Sequence, residues 1–365
     1  MSKRIRKASA TPSQRPKKDT KKKRRNSAPD ASAQAAASAP PSGGLHVGVD
    51  IGGTKLYAVI ANADGKILGS GRKKTRPELG FDGVMNRVAE VVTEACDDAD
   101  ISLHTVASIG VGAPSPMRAD GTAVSAPNLG WRDAPVGATL ARALDRPIIT
   151  ANDCDAGTLG EFVYGAGAGA QILVGLFMGT GLGGGVVIDG RLVRGEDNLA
   201  AEIGHMVVHV DGRRCGCGHR GCLEAYASKT AIAKRVTCAV ACDGRETLLT
   251  DLCNGDYSHL RSGLLAKAYA AKDDLTVESL HEAARYLGVG IANLITLLGP
   301  SVVILGGGVM EALGKKLLPR IKRAAAETAF PPGAAKRTKI RLAALGDDAV
   351  ALGAVAWARQ SLANA

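Results

Sequence analysis

Short apolar runs separated by glycine-rich turns open the folded part of the chain. Residues 45–50 (Leu-His-Val-Gly-Val-Asp) read as a buried strand, Ile51-Gly52-Gly53-Thr54-Lys55 as a turn, and 56–61 as a second strand. Asn62-Ala-Asp-Gly65 signals a polar turn and 66–71 a third strand, so the segment predicts an antiparallel meander with a glycine-rich first hairpin. Apolar residues at helical spacing (Val84, Val88, Val91, Val92, Ala95) predict a helix over 81–99. Strands follow at 106–112 and 147–150, with a short helix at 136–144 between them. At Asn152-Asp153 the pattern turns helical again, to about residue 164.

The opening unit then recurs. Residues 172–178 form an apolar run, Gly179-Thr-Gly-Leu-Gly-Gly-Gly185 a glycine turn, 186–188 a strand, Asp189-Gly190 a polar turn and 191–193 the return. The two copies lie close to 127 residues apart, which predicts two similar lobes from a duplicated unit, not a short-period solenoid. Helix is expected over 228–241 and near 275–298, a strand over 302–305 before Gly306-Gly307-Gly308, and a final strand over 339–345. Asp347-Asp348 reads as the N-cap of a last helix reaching residue 361.

The chain has 365 residues and a formal net charge of +11, but the charge is not evenly spread. Residues 1–44 hold 12 of the 46 basic and two of the 35 acidic residues, which leaves 34 and 33 for the remainder. A near-neutral body excludes a basic nucleic-acid-binding domain. The first 44 residues have Met1 and Ile5 as their only large apolar side chains and end in Ala-Pro-Pro-Ser-Gly-Gly. Such a segment is expected to be a disordered basic tail, able to make weak polyanion contacts. No apolar stretch is long enough for a secretory signal or a membrane span, and the expected location is the cytoplasm.

Glycine turns after buried strands present backbone N–H groups that cradle phosphate oxygens. Thr54 and Thr180 add hydroxyls, Lys55 a charge, and Asp50 an oxygen for a magnesium shell. Gly179-x-Gly181-x-x-Gly184 fits the dinucleotide fingerprint by spacing, yet a hairpin and not a helix follows it, which argues against NAD. No Gly-x4-Gly-Lys-Ser/Thr stretch exists, so a P-loop is excluded. Cys215-Gly-Cys217-Gly-His-Arg-Gly-Cys222 reads as three ligands of a structural zinc site, with His205, His209 and His219 as candidates for the fourth. Asn152-Asp153 ends a strand and opens a helix, where a carboxylate serves either as a cap or as a general base. Glu202 and Glu224 flank the cysteine loop and could grip sugar hydroxyls.

These stretches, with Pro127-Asn-Leu-Gly-Trp131, Glu202-Ile-Gly-His205 and Val303-Ile-Leu-Gly-Gly-Gly308, resemble the ROK family of sugar kinases, and within it the bacterial glucokinases. The resemblance implies an α/β, actin/hexokinase-like (ribonuclease H-like) fold of two duplicated lobes, 45–150 plus 346–365 and 151–345, closing over ATP and sugar, with a zinc-bound loop. It implies that Asp153 takes the proton from the 6-hydroxyl of glucose, and that Asn128, Asn152, Glu202, His205 and Glu224 hold other hydroxyls. Asp50 would organise magnesium. Gly52, Gly53, Thr54, Lys55, Gly179, Thr180 and Gly181 would take the phosphates, and Gly306, Gly307 and Gly308 the adenosine end. His205 would be the fourth zinc ligand beside Cys215, Cys217 and Cys222, the last helix would return to the first lobe, and the protein would be a glycolytic homo-oligomer.

The chain departs from the family pattern at three places. Ala200-Ala201 stand where a glycine is common, and Cys154-Asp155 where Ala-Asn is frequent, which brings an extra charge and an oxidisable thiol beside Asp153. The basic tail has no counterpart. The alternatives are an N-acetylhexosamine or fructose kinase of the same family, or a sugar-responsive repressor. The repressor needs a helix-turn-helix core that residues 1–44 do not supply.

Overall fold

The computed structural model describes residues 44–363; the expected basic tail, Gly44 aside, lies outside the described residues. Strands β1 (Leu45–Ile51), β2 (Lys55–Ala61), β3 (Ile67–Lys74), β4 (Val106–Ala113) and β7 (Ile148–Asn152) form one sheet in the order β3-β2-β1-β4-β7. The first three run antiparallel, and β4 and β7 add in parallel. Strands β8 (Ile172–Met178), β9 (Leu182–Ile188), β10 (Arg191–Leu192), β11 (Val302–Gly306) and β12 (Lys339–Leu342) repeat the same order and directions as β10-β9-β8-β11-β12. Both hairpin strands repeat at an offset of 127 residues, Leu45 to Ile172 and Lys55 to Leu182. The duplicated α/β architecture expected from the sequence is therefore present in strand order and direction, although the second hairpin pairs one residue tighter, Met178 with Leu182 where Ile51 faces Leu56. A small ribbon, β5 (Ala123–Ala126) with β6 (Trp131–Ala134), was not foreseen.

Helices cover both faces of each sheet. α1 (Gly80–Asp98) buries Val84, Val88, Val91, Val92 and Ala95 against the first sheet, and α2 (Val136–Leu144) adds Leu140 to the same core. On the second sheet, α7 (Asp274–Leu298) and α8 (Gly308–Thr328) bury their apolar stripes with Val174, Leu176 and Val303. α8 is not legible as a helix in the sequence because it opens at the last of three successive glycines and holds Pro319 inside it, although Val309, Leu313, Leu317 and Ile321 keep the helical period. α4 (Lys229–Asp243), α5 (Leu248–Leu252) and α6 (Ser262–Ala270) complete this side.

The remaining two helices lie between the sheets and exchange partners. α3 (Asp153–Val163) leaves the first sheet and packs on β8 and β9; α9 (Ala349–Ala363) leaves the second and packs on β1 and β4. They cross through glycine: a Cβ at Gly160 would strike the Ala349 carbonyl, and one at Gly353 the Ala156 carbonyl. No larger residue lets two helix backbones approach so closely.

Several local expectations need correction. Gly183, Gly184 and Gly185 belong to β9 and not to the turn, because α3 lies directly on that strand; a Cβ at Gly185 would sit 2.6 Å from Thr158 Oγ1. The final strand stops at Leu342. Asp347 and Asp348 belong to a tight turn that runs directly into α9, and their side chains reach the first hairpin. Asp347 Oδ2 pairs with Lys55 Nζ at 2.8 Å, and Asp348 Oδ1 accepts from the Tyr57 hydroxyl at 2.7 Å.

Candidate active site

The carboxylate expected as base opens α3, at the C-terminal edge of the first sheet. Asn152, and not Asp153, is the cap: its Oδ1 accepts from the Cys154 amide at 2.8 Å and the Asp155 amide at 3.3 Å. Its Nδ2 donates to the Ser115 carbonyl at 3.2 Å, so one amide hydrogen is left for a ligand. Asp153 is thereby released from capping. Burial raises its pKa, while the Cys154 amide, donating to Oδ1 at 2.8 Å, opposes the rise. Burial also pushes the Cys154 thiol well above its ordinary range, which disfavours its reactive thiolate form.

Asp50 ends β1 opposite Gly112 of β4, and a Cβ at Gly112 would lie 3.6 Å from the Asp153 Cα. Burial, reinforced by the Asp153 charge, pushes the Asp50 carboxyl up to about 7. The 127-residue repeat places Phe177 where the first sheet has Asp50, so only the first hairpin carries an acid at that position, and the second turn is one residue tighter. The first turn closes by Gly52 N–H donating to the Lys55 carbonyl at 2.9 Å, and Gly53 faces Asn128. Lys55 turns its ammonium to Asp347, so the phosphate contact expected of it needs that ion pair to open. In the second turn Gly179 N–H donates to the Gly181 carbonyl at 2.9 Å, and the Gly179 and Thr180 carbonyls accept from the amides that start α4. Gly307 packs on the Met178 backbone, which brings Gly306, Gly307 and Gly308 beside that turn.

A cleft of about 980 Å³ gathers Asn128, Thr180, Gly181, His205 and Glu224 with the cysteine loop. Asp153, Asp50, Asn152 and Glu202 do not line it. Glu202 nevertheless joins the two groups: burial raises its pKa, His205 lowers it, and the charges of Asp153 and Glu224 raise it. The cleft also contains Arg213, Arg214, Lys234, Arg235 and Arg245, which the motifs did not single out. Arg213, Arg235 and Arg245 are tied to Glu278 and Glu282 of α7. The basic spacing of Lys234-Arg235 along α4 was the available signal.

His205, Cys215, Cys217 and Cys222 bring their ligand atoms within 4.8 Å of one another. Cys217 and Cys222 Sγ lie 3.7 Å apart, and Cys215 Sγ lies 3.8 Å from His205 Nδ1. Thiolates ~2.3 Å from a tetrahedral zinc stand ~3.8 Å apart, so the donor set fits that ion. Of the other candidates, His209 stacks on Tyr226 and meets the Tyr286 hydroxyl at 3.1 Å, and the His219 ring lies against Cys217 Sγ at 3.6 Å without joining the four-ligand group.

The ROK family profile matches residues 46–361. The chain belongs to the ROK family. A ROK glucokinase from Streptomyces griseus, solved in complex with glucose and AMPPNP, superposes with a TM-score of 0.75 at 33% identity, covering 87% of this chain and all of the other. The glucokinase of Halalkalibacterium halodurans is 34% identical over 310 residues, 84% of this chain and 93% of that protein. The xylose repressor of Caldicellulosiruptor bescii is also similar, 26% identical over 311 residues, 85% of this chain and 77% of that protein. ROK membership accounts for the ordered run of motifs from Asp50 to Gly308.

Proposed function

We propose that this ROK protein is an ATP-dependent hexose kinase that phosphorylates glucose at its 6-hydroxyl. The observation that carries the reading is the meeting of Asn128, His205 and Glu224 with the second glycine turn in one cleft, with Glu202 electrostatically linked to both Glu224 and Asp153. The S. griseus relative, crystallised with glucose and AMPPNP, supports the pairing of ligands.

In this reading Asn128, Asn152, Glu202, His205 and Glu224 orient the sugar, and Asp153 accepts the 6-hydroxyl proton as the oxygen attacks the γ-phosphorus. Phosphoryl transfer has a loose transition state, so alignment and charge neutralisation supply most of the rate and a weak base suffices. Gly52, Gly53, Thr54, Gly179, Thr180 and Gly181 offer N–H and hydroxyl donors to the phosphates, and Gly306 to Gly308 a glycine platform for the nucleoside. The poorly compensated acid at Asp50, beside Asp153, fits a magnesium ion, which would neutralise phosphate charge when bound. His205, Cys215, Cys217 and Cys222 would hold a structural zinc. With Nδ1 on the metal, His205 keeps Nε2 for a sugar hydroxyl, which reconciles its two expected roles. The lobes 45–150 plus 346–365 and 151–345 would close over the substrates and exclude water.

A coupled ADP-release assay over hexoses and N-acetylhexosamines, with ATP and polyphosphate as donors, tests the proposal. Glucose with ATP should give the highest kcat/KM. Turnover of an N-acetylhexosamine alone would replace the acceptor, and no turnover with any sugar would remove the kinase reading.

A further inference from the structure

Asp155 and Arg194 are charges that the transfer chemistry above does not use. Asp155 stands on the first turn of α3, two residues beyond Asp153, and is only 5% exposed. Its Oδ1 has no hydrogen-bond partner among the described residues and lies toward β9, since a Cβ at Gly185 would sit 3.0 Å from it. Burial pushes its carboxyl up to about 7; Arg194 draws it down, and Glu202 and Asp153 push it up.

Arg194 follows β10 and reaches into the space between the sheets. Its Nη2 donates to the Met117 carbonyl at 3.2 Å, and its guanidinium carbon lies 5.2 Å from the ring centre of Trp357 on α9. Its Nε is buried and has no partner among the described residues. Burial disfavours its charge and Asp155 favours it. Its backbone carbonyl accepts from the Ala200 amide at 3.0 Å, at the root of the loop that carries Glu202 and His205. One arginine therefore touches the segment after β4, the last helix and the root of the Glu202 loop; Val193 N–H donates to the Val186 carbonyl at 2.8 Å, which sets Arg194 beside Gly185, the residue that the Asp155 oxygen overlies. Met117 and Trp357 alone leave Nε and the Asp155 oxygen both orphaned, which buried charges do not tolerate cheaply.

We propose that Asp155 and Arg194 form a positioning pair whose attraction holds the Glu202–His205 loop in register with the helix that carries Asp153. Neither touches substrate; both act through the groups that do. The kinetic part of the test rests on the hexose-kinase reading.

Full-length Asp155→Asn, Arg194→Gln and the double variant are compared with the unsubstituted chain. Either single change should raise the sugar KM about tenfold and move the ATP KM less than about twofold. The double variant should fall within about threefold of the worse single one, where independent losses would multiply to about a hundredfold. Multiplying losses, an unchanged sugar KM in either single variant, or an equal rise in the ATP KM would overturn the pair. If Arg194→Gln does not fold, Arg194→Lys takes its place in the cycle under the same criterion. In a Trp131→Phe background the remaining tryptophan, Trp357, reports on Arg194 without any turnover. Asp155→Asn should shift its emission, and an unchanged spectrum would sink the proposal even if no hexose were phosphorylated.

Discussion

Glu224 and Cys215 share one contact: the Cys215 Sγ lies 3.4 Å from Glu224 Oε1, while Oε2 accepts from the Leu182 amide at 3.0 Å. The same carboxylate thus touches the cysteine cluster, the second glycine turn and the cleft. Disturbing the cluster should be felt at the sugar, and through the glycine turn at the phosphates as well. Cys217→Ser should lose bound zinc, measured by metal analysis, and raise the sugar KM by at least ~10-fold. Unchanged sugar affinity in zinc-free protein would contradict this.

Asp153 is freed from capping by Asn152, which allows a clean test of the base. Asp153→Asn should keep sugar binding and zinc content near normal, since the cap is untouched, while kcat falls by at least ~10²-fold. Isothermal titration with sugar, beside steady-state kinetics, separates the two effects. Near-full turnover would take Asp153 out of the role.

Ala201 adopts φ 65, a left-handed conformation that disfavours a Cβ by ~1–2 kcal/mol, immediately before Glu202. The alanine noted in the sequence where the family commonly has glycine therefore sits in a strained backbone. Ala201→Gly should stabilise the protein by ~0.5–1 kcal/mol, part of the relief being offset by the greater freedom of glycine in the unfolded chain. Urea unfolding measures it; a lower midpoint would show that the strain is not there.

Asp50 has its carboxyl raised from 3.8 to about 7, chiefly by burial. A native acid that holds its proton more tightly than the unfolded chain contributes stability below pH ~4 that is lost as pH rises through 7. In magnesium-free buffer, Asp50→Asn should therefore gain on the unsubstituted protein as pH rises from 5 to 7, by up to ~1.4 kcal/mol per pH unit, and level off above. Thermal midpoints of the two proteins across this range check it. A stability difference that shrinks with rising pH has the wrong sign.

The 127-residue repeat was legible because a buried hairpin imposes the same residue types wherever it occurs: apolar runs, then glycines where the chain turns. The strand bounds at Leu45 and Ile172 follow that pattern residue by residue. The glycines at 183–185 read as turn from local pattern, because the reason for Gly183 and Gly185, the helix α3 lying against β9, is a long-range contact. Three histidines lie within ten residues of the cysteines, His219 inside their loop, and spacing alone does not choose among them. Folding brings His205 to the sulfurs, and holds His209 against Tyr226 and Tyr286.

The sequence by itself determined the two hairpins, their order, and the chemical types gathered at their turns, since these depend on neighbours a few residues away. Tertiary structure decided which groups act together: the cap that frees Asp153, the carboxylate shared by Cys215 and Leu182, and the facing charges of Asp155 and Arg194. The physical reason is range. Backbone conformation and burial leave a periodic imprint along the chain. Hydrogen bonds and buried charges, by contrast, are settled only when distant segments pack within a few ångströms.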